Sequence, residues 1–172
     1  WNLQIFHGLN NLQYINNIIE SNNLLTSIKE KTNIIARLLD KYDDDRGIIF
    51  CRTKAGTVQL TETLKAEGFS VDALQGDMQQ KERDKVMRAF KNGSLQYLIS
   101  TDVSARGIDV NNLAFIIHHQ LPDQLEYYTH RSGRTARAGK TGESIALIIS
   151  GEEKEIQKIQ KDLDIKFKQL TF

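Results

Sequence analysis

The chain has a single proline in 172 residues, so little interrupts its helix and strand patterns; that residue, Pro122, reads as loop. A single cysteine, Cys51, excludes an internal disulfide framework and suits a reducing, cytoplasmic compartment. Cys51 closes an apolar run, where a buried inert thiol is expected instead of a nucleophile. No apolar run approaches the ~20 residues of a membrane-spanning helix, and no charged-then-apolar leader opens the chain, so no membrane partner is expected. The sequence begins with tryptophan, which reads as a piece cut from something longer. Formal net charge is only +1, so no global basic field is present and any anion-binding surface must arise from local clustering. Aromatic residues amount to 8%, without a base-stacking surface; Tyr127 and Tyr128 are expected to pack beside a helix. Of the four histidines only His118 and His119 are adjacent, and neighbours on a strand face opposite ways, so no metal site is read.

What is present is an ordinary globular composition, 40% hydrophobic and 26% charged, in one domain of normal size. Helix and strand signals alternate. Residues 26–41 carry Ile28, Ile34, Ile35, Leu38 and Leu39 on one helical face, with Thr26 or Ser27 as cap. Short apolar runs at 47–51, 69–74, 95–100, 114–118 and 143–149 read as buried strands. Helical patterns fill 55–67, 79–91, a segment from about Gln124, and 152–163. Helices between short apolar strands predict an α/β fold, a parallel sheet with helices on both faces. Residues 1–25 are asparagine-rich and without a clear period; a strand near 3–6 and a helix over 12–19 are the expectations there, in an ordered edge element.

Residues 130–137 read His-Arg-Ser-Gly-Arg-Thr-Ala-Arg. Arginine carries a permanently charged fork of donors suited to phosphate. On a helix, residues three apart drift by only ~60°, so Arg131, Arg134 and Arg137 are expected to share one broad face. With Lys140 following and no acid between His130 and Thr141, an anion is expected to compensate them, a polyphosphate being the natural one; a solvated basic helix end is the alternative. Residues 100–109 read Ser-Thr-Asp-Val-Ser-Ala-Arg-Gly-Ile-Asp directly after an apolar run, a strand-to-loop site at the carboxyl edge of a sheet, where open α/β sheets place ligands. The Gly-Lys-Thr at 139–141 is a decoy: five residues separate Gly133 from Gly139 where a phosphate loop has four, and a strand follows instead of a helix.

Residues 101–109 and 130–137 resemble the fifth and sixth motifs of DEAD-box RNA helicases. Ile48-Ile49-Phe50-Cys51-Arg52-Thr53-Lys54 resembles the fourth, and Gln75-Gly76-Asp77-Met78 with Gln80-Lys81-Glu82-Arg83 the segment after it. The four stand in family order over residues 47–150 and correspond to the second of the family's two RecA-like domains. The resemblance implies a RecA-like parallel sheet over 26–172, with 1–25 a variable segment after the interdomain linker. It further implies ATP and Mg2+, bound mainly by a first domain whose phosphate loop and Asp-Glu-Ala-Asp this chain lacks.

On the nucleotide side, the resemblance implies arginine fingers at Arg134 and Arg137, a ribose-side contact at Asp109 with Gly107 beside it, and His130 and Arg131 bridging to the N-terminal RecA-like domain. Plain packing is the competing role for His130 and Arg131. On the RNA side it implies Arg52, Thr53, Gly76, Arg83, Thr101 and Asp102, contacting the sugar-phosphate backbone of duplex or single strand without reading bases. For Arg83 the alternative is a helix salt bridge with Glu82 or Asp84. Ser132, Ala136 and Gln75 depart from residues common in the family at these places, without removing a charged contact. The chain therefore reads as the C-terminal motor domain of an ATP-dependent RNA helicase, inactive alone. A non-catalytic RNA- or protein-binding module on the same fold is the other reading, and a DNA-directed superfamily member a third.

Overall fold

The structure, a computed structural model, describes residues 3–4, 15–21, 28–136, 140–149 and 151–169. Its centre is a run of strands that are almost wholly apolar: β3 (Gly47–Phe50), β5 (Tyr97–Ser100) and β6 (Phe115–His118) are buried at every position. Such strands bury both faces, the pattern of a parallel sheet roofed by helices on each side. With β1 (Leu3–Gln4), β2 (Ile15–Ser21), β4 (Val71–Leu74), β7 (Gly142–Ile148) and β8 (Lys168–Gln169) they form one sheet ordered β1-β8-β2-β7-β6-β3-β5-β4. Every pairing is parallel except β1 with β8.

The helix expected over 12–19 is not found. Residues 15–21 are instead strand β2, paired in parallel along the whole of β7 from Ile15 opposite Gly142 to Ser21 opposite Ile148. The isoleucines at 15, 18 and 19 imitate a helical repeat, but β-branched residues and asparagines are weak helix formers, and a seven-residue pairing partner decides the outcome.

Alternation along the strands divides the core. Ile49, Cys51, Ile99, Phe115, Ile117 and Ile145 pack on one face beneath α1 (Ile28–Lys41) and α2 (Lys54–Ala66). Ile48, Phe50, Leu98 and Ile116 face the other way, toward Val86 and Phe90 of α3 (Gln80–Asn92), and Ala146 and Ile148 toward Tyr128 of α5 (Leu125–Ser132) and Ile156 of α6 (Glu153–Leu163). Gly93 ends α3 in the left-handed region at φ 83°, a backbone state a side chain would strain. No described helix is long and apolar enough to cross a membrane. Because the central strands are parallel, their carboxyl ends, and the loops that follow them, lie along one edge.

Candidate nucleotide and nucleic-acid interface

That edge gathers the strand-end residues singled out in the sequence. After β3, Arg52 is exposed, pairs with Asp123 at 3.1 Å and donates to the Leu121 carbonyl at 2.9 Å. Thr53 caps α2, its hydroxyl oxygen accepting from the Gly56 amide at 3.1 Å. After β4, Gly76 is exposed and has open space where a side chain would begin; beside it Asp77 pairs with Lys54. After β5, Thr101 caps the short helix α4 (Asp102–Ala105), accepting from the Ser104 amide at 3.3 Å. Arg83, near the start of α3, makes no salt bridge with Glu82 or Asp84; it donates to the Ser104 carbonyl at 2.6 Å and the Arg106 carbonyl at 3.5 Å. Arg83 is thus bonded to the carboxyl end of the helix that Thr101 caps.

The second group surrounds a cleft of about 230 Å3 lined by Asp102, Arg106, His130, Arg131 and Arg134. His130 is exposed, 3.7 Å from Glu126. Gly107, at φ 78°, occupies a backbone state that favours glycine, and Asp109 lies exposed two residues on. Arg106 donates to the Tyr127 hydroxyl at 3.0 Å, whereas Tyr128 is buried. Arg137 lies outside the described residues.

The shared helical face expected for the arginines does not form. Helix α5 ends at Ser132, Gly133 closes it with its amide on the Thr129 carbonyl at 2.9 Å, and Thr135 forms a parallel bridge to Leu113. Glycine is a cheap stop for a helix and β-branched threonine suits the extended bridge. Ala136 then sits at φ 54°, a strained state for a residue with a side chain. Arg131 consequently points inward, while Arg134 leaves the turn and donates to the Ile108 carbonyl. Nor does Arg131 await an external anion. It is only 2% exposed and donates to both carboxylate oxygens of Asp102, Nε to Oδ1 and Nη2 to Oδ2, each at 2.6 Å. Asp102 came from 29 residues away, which is why the local sequence showed no counter-charge.

Further buried groups stand behind the cleft, and His118, His119 and Lys31 among them had no role assigned from the sequence. Arg131 Nη1 also donates to the Gln120 carbonyl at 2.9 Å and lies 3.2 Å from His118 Nδ1, while its guanidinium stacks 5.0 Å from the Phe50 ring. His118 Nε2 is 2.9 Å from Ser144 Oγ, which is 2.8 Å from Ser132 Oγ, giving a serine at 132 a buried partner. Burial and the Arg131 charge hold His118 well below the usual histidine value, and burial lowers His119 to about 4. Behind them Lys31, 5% exposed, donates to the His119 and Leu147 carbonyls at 2.7 and 2.8 Å and faces Glu152 at 3.8 Å; burial lowers its pKa. A lysine in the first turn of an amphipathic helix gives no sequence sign of burial. Burial pushes the Cys51 thiol up to about 12, a poor nucleophile.

The donor set of the cleft is cationic and fits a polyphosphate. Among the described residues no three histidine, cysteine or acidic side chains are grouped to hold a metal ion.

Residues 30–139 match the family model described as helicase conserved C-terminal domain. The chain is 41% identical over 158 residues to the probable ATP-dependent RNA helicase MJ0669 of Methanocaldococcus jannaschii, covering 92% of this chain and 43% of that protein. It therefore spans less than half the length of that relative. A crystal structure of a DEAD box protein from Methanococcus jannaschii superposes with a TM-score of 0.76 at 40% identity, over 86% of this chain and 39% of the other. The structure of S. cerevisiae Dbp5 bound to RNA and ADP BeF3 gives 0.76 at 29% identity, over 90% and 40%. The match over most of the chain, on a parallel sheet whose carboxyl edge carries the fourth and fifth motifs, with the sixth beginning on α5, places it in the helicase conserved C-terminal domain family, as a RecA-like domain of the DEAD-box type.

Proposed function

We propose that this domain is the second half of an ATP-driven RNA-remodelling motor. ATP with Mg2+, held mainly by an N-terminal RecA-like domain of the same protein, supplies the phosphoryl group whose transfer drives the cycle. The present chain meets it from the other side of the interdomain cleft. Arg134, with Arg137, extends a guanidinium to the γ-phosphoryl oxygens, where charge grows during transfer. Asp109 accepts a hydrogen bond from the ribose, Gly107 lets backbone come close, and His130 faces the first domain. Arg131 acts at one remove, by anchoring Asp102.

The other half of the edge grips RNA. Arg52 and Arg83 offer charge, Thr53 and Thr101 hydroxyls, and the loop at Gly76 unobstructed backbone; Asp102 sits between them and Arg131. Contacts of this kind address phosphate and sugar, so binding is independent of sequence. Closure of the two domains on both ligands bends one strand and opens a short duplex locally. Alone, the domain has half a nucleotide site and does not turn over ATP.

The observation that carries this reading is the cleft that Arg134 shares with Asp102 and Arg131, whose ion pair joins α5 to the loop at the carboxyl end of β5. The related Dbp5 chain is bound to RNA and ADP BeF3, the same two ligand classes. The test is Arg134→Ala in the full-length helicase. Loss of ATP turnover by about 10³-fold or more, with RNA affinity retained, is the expected result. Turnover at the parent rate would leave a non-catalytic module whose arginines serve only RNA or a partner protein.

A further inference from the structure

His118 ends β6 with its side chain wholly buried between the two halves of the site. Its surroundings dictate its chemistry. Arginine donates and never accepts, so the 3.2 Å contact between Arg131 Nη1 and His118 Nδ1 requires an unprotonated Nδ1. The neutral ring then carries its hydrogen on Nε2 and donates it to Ser144 Oγ at 2.9 Å. Ser144 in turn is 2.8 Å from Ser132 Oγ and 3.4 Å from the Tyr128 hydroxyl. The ring also lies on that of Tyr128, centroids 4.8 Å apart and planes 12° from parallel. One side chain thus ties β6 to β7 through Ser144 and to α5 through Ser132, Tyr128 and Arg131.

Arg131 is where this matters. Its fork is shared among Asp102 at the start of α4, the Gln120 carbonyl after β6 and His118. Three residues later the chain delivers Arg134, whose amide donates to the Arg131 carbonyl at 3.2 Å. The Arg131 guanidinium therefore holds Asp102, while its main-chain carbonyl holds the turn that carries Arg134. We propose that His118 is a positioning residue: by accepting from Arg131 Nη1 it fixes the guanidinium as the joint between α4, on the RNA side, and the arginine-bearing turn after α5. This rests on the functional reading above and adds to it a residue that touches neither RNA nor nucleotide. Burial beside Arg131 keeps His118 neutral, as the joint requires.

The test compares His118→Phe, which keeps a ring against Tyr128 but has no nitrogen, with His118→Asn, whose amide oxygen restores an acceptor toward Arg131. In the full-length helicase, His118→Phe is expected to lower the RNA-stimulated kcat for ATP about tenfold, with KM for ATP and Kd for RNA within about twofold of the parent, and His118→Asn to recover most of the rate. A His118→Phe rate equal to the parent's overturns the proposal, as does a His118→Asn variant no better than His118→Phe. Parallel loss of kcat, RNA affinity and cooperative unfolding assigns His118 to folding alone and also overturns it. Should His118→Phe fail to fold, nitrogen NMR of the unsubstituted protein decides: hydrogen on Nε2 supports the joint, and hydrogen on Nδ1 overturns it. Arg134→Ala measured alongside separates the two readings. If it keeps turnover, the motor assignment fails; if it loses turnover while His118→Phe does not, only the joint fails.

Discussion

Arg131 and Asp102 form a bidentate ion pair in which both N–O distances are 2.6 Å, between a guanidinium side chain 1% exposed and a carboxylate side chain 20% exposed. A charge buried this deeply is tolerable only while its partner and hydrogen bonds remain. Asp102→Ala leaves Arg131 with the Gln120 carbonyl and His118 but no counter-charge, and should destabilise the fold by about 3 kcal/mol. Substituting Arg131 by leucine in the same chain should restore part of the loss, because the uncompensated charge goes with it. Urea unfolding of the single and double variants checks both. An Asp102→Ala penalty below about 0.5 kcal/mol would mean that the pair is solvated as a surface bridge is.

Most strands and helices after residue 26 were legible because apolar runs of strand length alternate with 3.6-residue patterns; the short α4 and β8 were not. What failed was long-range. The nearby isoleucines of 15–21 imitate a helix until β7 is seen beside them. The arginine run suggests one exposed face, since nothing local shows that Gly133 stops the helix and Asp102 reaches Arg131 from another loop. His118 and Lys31 were invisible for the same reason. Their partners Ser144, Arg131, His119 and Leu147 are distant in sequence, and only the sheet brings them together. The caps formed by Thr53 and Thr101 were not read from the sequence either, where both residues stood only as RNA contacts implied by the motifs.

Acid should weaken the domain before its carboxylates protonate. His118 is held well below the usual value and His119 at about 4, both chiefly by burial. The folded chain therefore stays neutral at these rings while the unfolded chain binds protons below about pH 6.5. Their contribution is complete above that pH and is lost as pH falls toward the folded values, at about 1.4 kcal/mol per pH unit for each ring. Glu143, whose pKa burial raises, works the other way and offsets part of this. Urea midpoints should fall between pH 7 and pH 5, and His119→Gln should flatten the slope. A pH-independent midpoint over that range would show that these rings are not buried as neutral groups.

Gly47 opens β3 directly against the ring of Phe115, and a methyl group there would collide with ring carbons. Phe115 is fully buried and packs between Tyr42 and Tyr97, with centroids 4.8 and 6.0 Å away, so it has little room to yield. Gly47→Ala should cost about 1–3 kcal/mol, typical of overpacking. Pairing it with Phe115→Leu should recover some of that loss, a non-additivity that a double-mutant cycle of thermal unfolding would expose. Strict additivity would place the cost in the backbone instead of the ring.

Arg83 separates two effects that a simple binding assay would merge. Its guanidinium bridges α3 to the Ser104 and Arg106 carbonyls, so its removal loosens the carboxyl end of α4 as well as deleting a charge near the proposed RNA track. In the full-length helicase, Arg83→Ala should weaken RNA binding and reduce the slope of log affinity against log salt by about 0.7–0.9, the signature of one lost phosphate contact. Arg83→Lys keeps the charge on a shorter side chain that loses the reach of Nη2 to the two carbonyls, so its salt slope should match the parent's even where its affinity does not. If Arg83→Ala binds more weakly with an unchanged slope, the side chain serves by holding α4 in place, and the phosphate contact belongs to Arg52 or another cation of the edge.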